Sequence, residues 1–338
     1  MPDKHDRDRQ SRQQIRISVV LACLGGQESI AATVAALRRQ TVVAQMQLLI
    51  VAAEDSGVTA SHPDLRVFGS VAVVAVDRVT SVARANAAGV RAATAPVVGF
   101  SEDHAFPDPN WAESLIEAHV QDWTAVGPAV RNANPATAVS WSDFFIGYGP
   151  WADPTPAGVA DFLPGHNSSY KRAALLEYDG KLEDMLEAET VLHWDLRKKG
   201  HKLYLEPAAK ISHTNFSLLS SWVRAQFYCG WVFAGSRLLT MSALHRLVYF
   251  GGAPLIPLVR FARICKHIRR AKNPECPLAR VLPVLFFGLA LDGIGQMLGY
   301  AFGTMNAKDK LAHLEFHRVE HVTAADREML RNRAFGGD

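Results

Sequence analysis

Glu102-Asp103-His104 is the densest group of potential ligand atoms in this chain. It follows an apolar run, Pro96–Phe100, and precedes a proline-containing turn and Trp111. Carboxylate oxygens and a neutral imidazole converging there suit a divalent cation, the ion that clustered phosphate charge requires. A solvated acidic turn uses the same residue types, so the triplet alone does not decide between the two. A second acidic group, Glu183, Asp184, Glu187 and Glu189, lies before the basic stretch Arg197-Lys198-Lys199-Gly200. A carboxylate there suits a general base that removes a proton from a hydroxyl. Asp184 and Glu187 also have the spacing of a helix capping box, which explains Glu187 structurally and Glu189 less well. Between the two groups stands the turn-rich run Pro164-Gly165-His166-Asn167-Ser168-Ser169. His166 and Asn167 offer hydrogen bonds to hydroxyl groups, although Gly and Asn are also ordinary turn residues. His213 ends the run Ile211-Ser212-His213 and is a further candidate ligand.

The elements that must position these residues are legible as alternating apolar runs and helical spacings. Strands are expected at Ile15–Cys23, Gln47–Ala53, Ser70–Val76 and Pro96–Phe100, and helices at Glu28–Gln40, Thr80–Ala93 and Asp108–Gln121. Ile30, Val34 and Leu37 share one face of the first helix, and Pro109 sits where a helix start tolerates a missing N–H. This β-α-β-β-α-β-α order predicts an α/β fold, a mostly parallel sheet with helices on its faces. Ligands of such sheets bind beyond the carboxyl ends of the strands, here Cys23–Gln27, Ala53–Gly57 and Ser101–Pro107. Further on, a helix is expected at Met185–Lys199, stopped by Gly200, then short strands at Leu203–Leu205 and Lys210–Ser212 and a long helix at Phe216–Leu239.

The ordered run Ala83-Arg84-Ala85-Asn86-Ala87-Ala88-Gly89, then Pro96-Val97-Val98-Gly99-Phe100, then Ser101-Glu102-Asp103-His104, then Pro107-Asp108-Pro109-Asn110-Trp111 resembles the family 2 glycosyltransferases. Their pattern is an Ala-Arg-Asn-x-Gly helix, a strand, an Asp-x-Asp-type cluster, then Pro and Trp. The resemblance covers about residues 15–215 and implies the GT-A fold, a nucleotide-diphosphate sugar donor, a hydroxyl acceptor and a divalent cation, Mn2+ or Mg2+. It implies inverting transfer of a hexose. Glu102 and His104 occupy the two Asp positions of the metal motif, with Asp103 between them and His213 at a position where a His meets the metal or diphosphate. Ala22 lies on the strand that approaches the nucleotide base, Glu54 and Asp55 match an acidic base- or ribose-binding position, and Arg84 matches an Arg that faces the phosphates. Leu192, Trp194, Leu196 and Arg197 through Gly200 fix a register that puts Glu189 at the position of the base and Ala188 at the usual Glu, with Glu187 as the second candidate. Pro164 through Arg172 is similar to the loop beneath donor sugar and acceptor, which assigns His166, Asn167 and Trp194 to the acceptor side.

The remaining features set the surroundings. The chain has 338 residues, 49% hydrophobic and 20% charged, which suffices for a sizeable core. A net charge of +3 gives no general affinity for nucleic acid. Cys23, Cys229, Cys265 and Cys276 form no C-x-x-C pair and read as reduced thiols. Residues 1–14 read as a disordered polar tail without the apolar core of a secretory signal, which places the enzyme domain in the cytoplasm. Residues 216–338 read as a helical region with membrane-associated segments. Leu247–Phe261, followed by Arg263, Lys266, Arg269, Arg270 and Lys272, fits a helix lying on the cytoplasmic side of an anionic membrane. Val281–Met305 is apolar except for Asp292 and Gln296, and Gly295, Gly299 and Gly303 recur every fourth residue. A re-entrant or interfacial hairpin fits it better than a clean span, and a packed helical subdomain is the alternative. The family's acceptors, lipid-linked or polysaccharide precursors, agree with a membrane site. The altered acidic motifs also fit a catalytically weak relative that binds nucleotide sugar or scaffolds a glycan assembly. A nicotinamide dehydrogenase is disfavoured, because Cys23-Leu24-Gly25-Gly26-Gln27-Glu28 replaces the Gly-x-Gly-x-x-Gly such a fold needs.

Overall fold

The computed structural model describes residues 14–187, 189–238, 241–273 and 275–335. Most of the expected N-terminal tail, and Ala188 of the acidic motif, lie outside the described residues. The chain divides into two compact units, one within Met1–Arg131, Pro156–Ser212 and Leu330–Asp338, the other within Asn132–Thr155 and His213–Met329.

The first unit is built on a mixed sheet. Its strands are β1 (Ile17–Cys23), β2 (Met46–Ala53), β3 (Ser70–Val76), β4 (Val97–Ser101), β5 (Ala105–Pro107), β6 (Ala125–Asn132), β7 (Gly158–Val159), β8 (Ser169–Lys171) and β9 (Leu203–His213), in the order β3-β2-β1-β4-β8-β6-β9-β5 with β7 beside β9. β3, β2, β1 and β4 run parallel, as the apolar runs predict, and β8 joins β4 and β6 antiparallel. β1 and β4 are buried along their whole length, the signature of strands covered on both faces. Helices α1 (Ala31–Arg38), α2 (Val82–Ala92), α3 (Trp111–Ala118), α5 (Arg172–Leu176), α6 (Leu182–Glu187) and α7 (Glu189–Lys198) belong to this unit, and α4 (Ala138–Tyr148) to the other. Ser81 caps α2 by accepting from the Arg84 N–H. Gly89 lets α2 lie directly on β1, since a Cβ there would meet Val20 Cγ1 at 2.3 Å.

Two expectations need correction. The short strands at 203–205 and 210–212 are one eleven-residue strand, β9. The chain passes Pro207 extended, and the neighbouring Ala208 N–H is taken by Glu206 Oε1 at 2.9 Å. The helix expected from Met185 begins earlier, at Leu182, which is fully buried, and the described residues are helical over Leu182–Glu187 and Glu189–Lys198.

The second unit is helical: α8 (Leu219–Arg237), α9 (Ala243–Gly252), α10 (Ile256–Ala271), α11 (Leu278–Phe302), α12 (Ala307–Phe316) and α13 (Ala324–Phe335), the last of which passes into the first unit at Leu330. The Val281–Met305 stretch is one continuous helix rather than a hairpin. Its glycines explain why. A Cβ at Gly295 would meet Phe227 O at 2.1 Å, and one at Gly299 would meet Trp231 O at 2.4 Å, so α11 lies backbone to backbone on α8. Asp292, whose charge seemed costly, is buried with partners: its Oδ2 accepts from Arg260 Nη1 at 2.6 Å and from Gln296 Nε2 at 2.7 Å. A second buried acid, Asp143 of α4, accepts from the Phe216 N–H at 3.0 Å, Gln226 Nε2 at 2.9 Å and Arg318 Nη1 at 3.2 Å. In contrast, α9 buries none of its residues, and Leu244, Leu247, Val248, Leu255, Leu258 and Val259 along α9 and α10 are exposed. Ala243–Ala271 and Leu278–Phe302 are both long and apolar enough to cross a membrane.

Candidate active site

The carboxyl ends of β4 and β9 carry the ligand-type residues. Glu102 and His104 follow β4, and His213 is the last residue of β9, the point at which that strand leaves the sheet. Glu102 and His104 are buried in the first unit, and His213 is buried where the chain passes back into the second unit. Each is held from behind. Asn167 Nδ2 donates to Glu102 Oε2 at 2.8 Å. Asp103 Oδ1 stands 2.7 Å from His104 Nδ1, and because an ionised carboxylate only accepts, it places the proton on Nδ1 and turns Nε2 toward Glu102 Oε1, 3.8 Å away. His213 Nδ1 is held in the same way at 3.2 Å from Asn215 Oδ1, with the Tyr148 ring packed on the imidazole at 4.4 Å. Thr33 of α1 fixes the backbone of the turn by donating to the carbonyls of Glu102, at 3.0 Å, and Ala105, at 3.1 Å.

The chemistry of this donor set tests whether a cation fits. Within the first unit, the Glu102 carboxylate and the His104 imidazole, the latter oriented by the acceptor behind it, form a mixed O/N donor pair. It suits Mn2+ better than Mg2+, which prefers oxygen alone. The Asp103 carboxylate is engaged with His104.

A second pairing forms at the loop before β8. Gly165–Asn167 is a single tight turn. Asn167 is fully buried with its amide on Glu102, while His166, one residue earlier, places Nδ1 at 2.8 Å from Glu189 Oε1. The Glu189 carboxylate lies on the turn itself: a Cβ at Gly165 would meet its Cδ and Oε2 at 2.0 Å. Beneath this pair, Tyr170 OH is 2.8 Å from His193 Nε2, and the Leu163 N–H reaches His193 Nδ1 at 3.4 Å. Burial holds the His193 imidazole neutral, its pKa lowered to about 3. Burial, and then the charge of Glu189, push the Tyr170 phenol well up.

The remaining candidates spread around these two groups. Ala22 is buried near the end of β1, Glu54 and Asp55 are exposed just past β2, and Arg84 is exposed in the first turn of α2. Glu187 is exposed at the end of α6, and Trp194 of α7 is half exposed. Thr33, which fixes the Glu102–Ala105 turn, and Asn215 and Tyr148, which hold His213, were not anticipated from sequence. Only Asn215 left a trace, as the polar residue two places beyond His213.

Residues 18–179 match the model of glycosyl transferase family 2. The match takes in Glu54, Asp55, Arg84, Glu102–His104, His166 and Asn167, and stops before Glu187, Glu189, Trp194 and His213. No curated protein matches the chain. Among solved structures the chain is similar to the mannosyltransferase PcManGT from Pyrobaculum calidifontis in complex with GDP-Man and Mn2+, at 14% identity over 95% of this chain and 84% of that one, with a TM-score of 0.39. The match runs from the second residue of β1 to the turn after α5.

Proposed function

We propose that this protein transfers a hexose, with inversion, from a nucleotide-diphosphate sugar to a hydroxyl acceptor, using a divalent cation. The observation that carries the proposal is the placement of Glu102 and His104, buried and oriented, just past the carboxyl end of β4. That is where open α/β sheets bind ligands. Glu102 and His104, with His213 as a further candidate ligand, would hold the cation, which when bound neutralises charge on a departing diphosphate. Asp103 orients His104, and Asn167 orients Glu102. The exposed Arg84 faces the phosphates, and Ala22 with Glu54 and Asp55 contacts the nucleoside. Trp194 offers an aromatic face to the acceptor sugar. The proton of the acceptor hydroxyl leaves toward Glu189, with Glu187 as the second candidate base.

We further propose that the protein works at the cytoplasmic surface of a membrane on a lipid-linked or polysaccharide-precursor acceptor. The exposed apolar residues of α9 and α10 support this. So do Arg263, Lys266, Arg269 and Lys272, which are exposed, whereas Arg260 is engaged by Asp292 and Arg270 by the carbonyls of Gly149 and Pro150. The catalytic reading is tested by incubating the protein with Mn2+ and a panel of nucleotide-diphosphate sugars and following donor turnover by NMR. One donor consumed, with inverted anomeric configuration in the product, is expected; turnover of none by folded protein would overturn it. Co-sedimentation with vesicles containing anionic lipid, lost in L247D/L258D, is expected for the membrane reading. Equal sedimentation of both proteins would refute it.

A further inference from the structure

The solvent side of α12 carries two imidazoles that glycosyl transfer does not use. We infer that His313 and His317 chelate a divalent transition-metal ion, Zn2+ by the chemistry of the donors, and that the ion braces the end of α12 against the Arg318–His321 turn.

The backbone sets the spacing. The His317 N–H donates to the His313 carbonyl at 3.2 Å, so helical geometry persists to His317, one residue past the end of α12. Residues four apart then project from one face on successive turns, with Cβ atoms about 5–6 Å apart. The two rings follow: their centroids are 4.8 Å apart and their planes are inclined at 48°. Both side chains are exposed, whereas Leu314 and Arg318, the next residue after each, are buried. Two histidines at this helical spacing form the pair that holds zinc in H-x-x-x-H helices. Zinc bonds imidazole nitrogen at about 2.0–2.1 Å, so small side-chain rotations let one ion take both rings.

The surroundings favour a cation. Glu320 Oε1 lies 3.4 Å from His317 Nδ1, and Asp309, also exposed, stands four residues before His313 on the same helical face. Either carboxylate is an oxygen ligand within a turn of the pair, and water completes the shell. Two neighbouring imidazoles repel one another when both are protonated, and a metal that takes both lone pairs removes that cost. His321 continues the four-residue series but leaves the face. It lies in the 3₁₀ turn Arg318–His321, and its Nδ1 is 2.9 Å from Ser221 Oγ on α8.

The role of the ion follows from what that turn holds. The Ser217 and Leu218 N–H groups donate to the His321 carbonyl at 3.3 and 3.2 Å, so the turn anchors the start of α8. An ion on His313, His317 and Glu320 ties the turn to α12 and stiffens that anchor. Imidazoles favour Zn2+ over Mn2+ and Mg2+, which suit oxygen ligands, so the metal differs in kind from a cation serving a diphosphate. The site holds whether or not the chain transfers sugar.

The test is calorimetric titration of ZnCl2 into the full chain, in wild type, H313A, H317A, H313A/H317A and H104A. One Zn2+ binding event of wild type is expected to persist in H104A, to weaken at least about tenfold in each single variant and to vanish in the double variant, because a chelate becomes one imidazole and then none. H313Q/H317Q, which keeps polar side chains at both places, serves as the second double variant. Mn2+ is expected to bind there at least about tenfold more weakly than Zn2+. Hydrogen exchange at the Ser217 and Leu218 N–H groups is expected to slow on adding Zn2+ to wild type and to stay unchanged in the double variants. Full retention of every Zn2+ event in both double variants would overturn the site, and loss in one single variant with none in the other would overturn the pair. Equal affinity for Mn2+ would overturn the assigned metal class, and exchange indifferent to Zn2+ in wild type would overturn the brace.

Discussion

Asp103 is the sharpest place to perturb the cation group, because it distinguishes a ligand from a residue that holds one. Its Oδ1 is 2.7 Å from His104 Nδ1, and its side chain is 15% exposed, so water screens the contact little. Asp103→Ala removes one charge-assisted hydrogen bond, a loss of about 1.5–3 kcal/mol. It also frees the His104 ring to rotate or to exchange tautomers. Orienting partners of metal-bound histidines contribute about 10–100-fold to affinity, equivalent to about 1.4–2.8 kcal/mol, so the two figures agree. Titrating Mn2+ into the protein by calorimetry should therefore show a Kd raised about 10–100-fold in D103A with one site retained. H104A should lose the site. An unchanged Kd in D103A would show that the carboxylate orients nothing of consequence. A loss as complete as in H104A would make Asp103 a ligand and refute the geometry described for it.

Other consequences are equally direct. Gly165→Ala places a Cβ inside the Glu189 carboxylate, 2.0 Å from Cδ, so kcat should fall at least tenfold while Mn2+ affinity stays unchanged; equal turnover by G165A would show that the carboxylate moves aside freely. Gly299→Leu on α11 should destabilise the helical unit by at least about 1–3 kcal/mol, seen as a lower urea midpoint, because the added side chain meets the Trp231 carbonyl and Ala234 rather than a movable group. The buried imidazoles of His119 and His193, with pKa values lowered to about 4 and about 3, give the pH dependence of stability. A histidine depressed in the fold releases its proton on folding. Its contribution is fully present above the unfolded value near 6.5 and is lost as pH falls toward the folded value, at up to about 1.4 kcal/mol per pH unit for each group. Urea midpoints measured from pH 7 to 4 should fall, and H193Q should flatten the slope; parallel curves would contradict this.

Much of the scaffold was legible because parallel strands buried on both faces leave continuous apolar runs. Ile17–Cys23, Met46–Ala53 and Val97–Ser101 are such runs, and each was placed within a residue or two. The antiparallel half was not legible. β8 has three residues, and its neighbour β6 mixes Gly127, Pro128 and Arg131 into its run, so neither carries a clear period. β9 carries Pro207 inside its run, and the strand continues through it. In the helical unit, glycines every fourth residue signalled close packing, but not that the partner was α8 rather than another helix in lipid.

The candidate site divides the same way. Glu102 and His104 could be picked out by type and by their place after a strand. The adjacent order Glu-Asp-His could not say which carboxylate faces the cation and which stands behind the imidazole, since that depends on the turn fixed by Thr33. His166 and Glu189 were singled out separately. Their pairing across 23 residues arises only when α7 packs against the turn before β8, and no local pattern reports that.

The proposed function rests on a cation held by Glu102 and His104, with His213 as a further candidate ligand, serving a nucleotide-diphosphate sugar. The most direct measurement is calorimetric binding of a donor panel to wild type, E102A and H213A, each with Mn2+, with Mg2+ and with a chelator. The account predicts that wild type binds one donor tightly with Mn2+, less well with Mg2+ and weakly with chelator, and that both variants bind it as weakly as chelated wild type. Donor binding that is indifferent to the cation, or that survives unchanged in both variants, would contradict it.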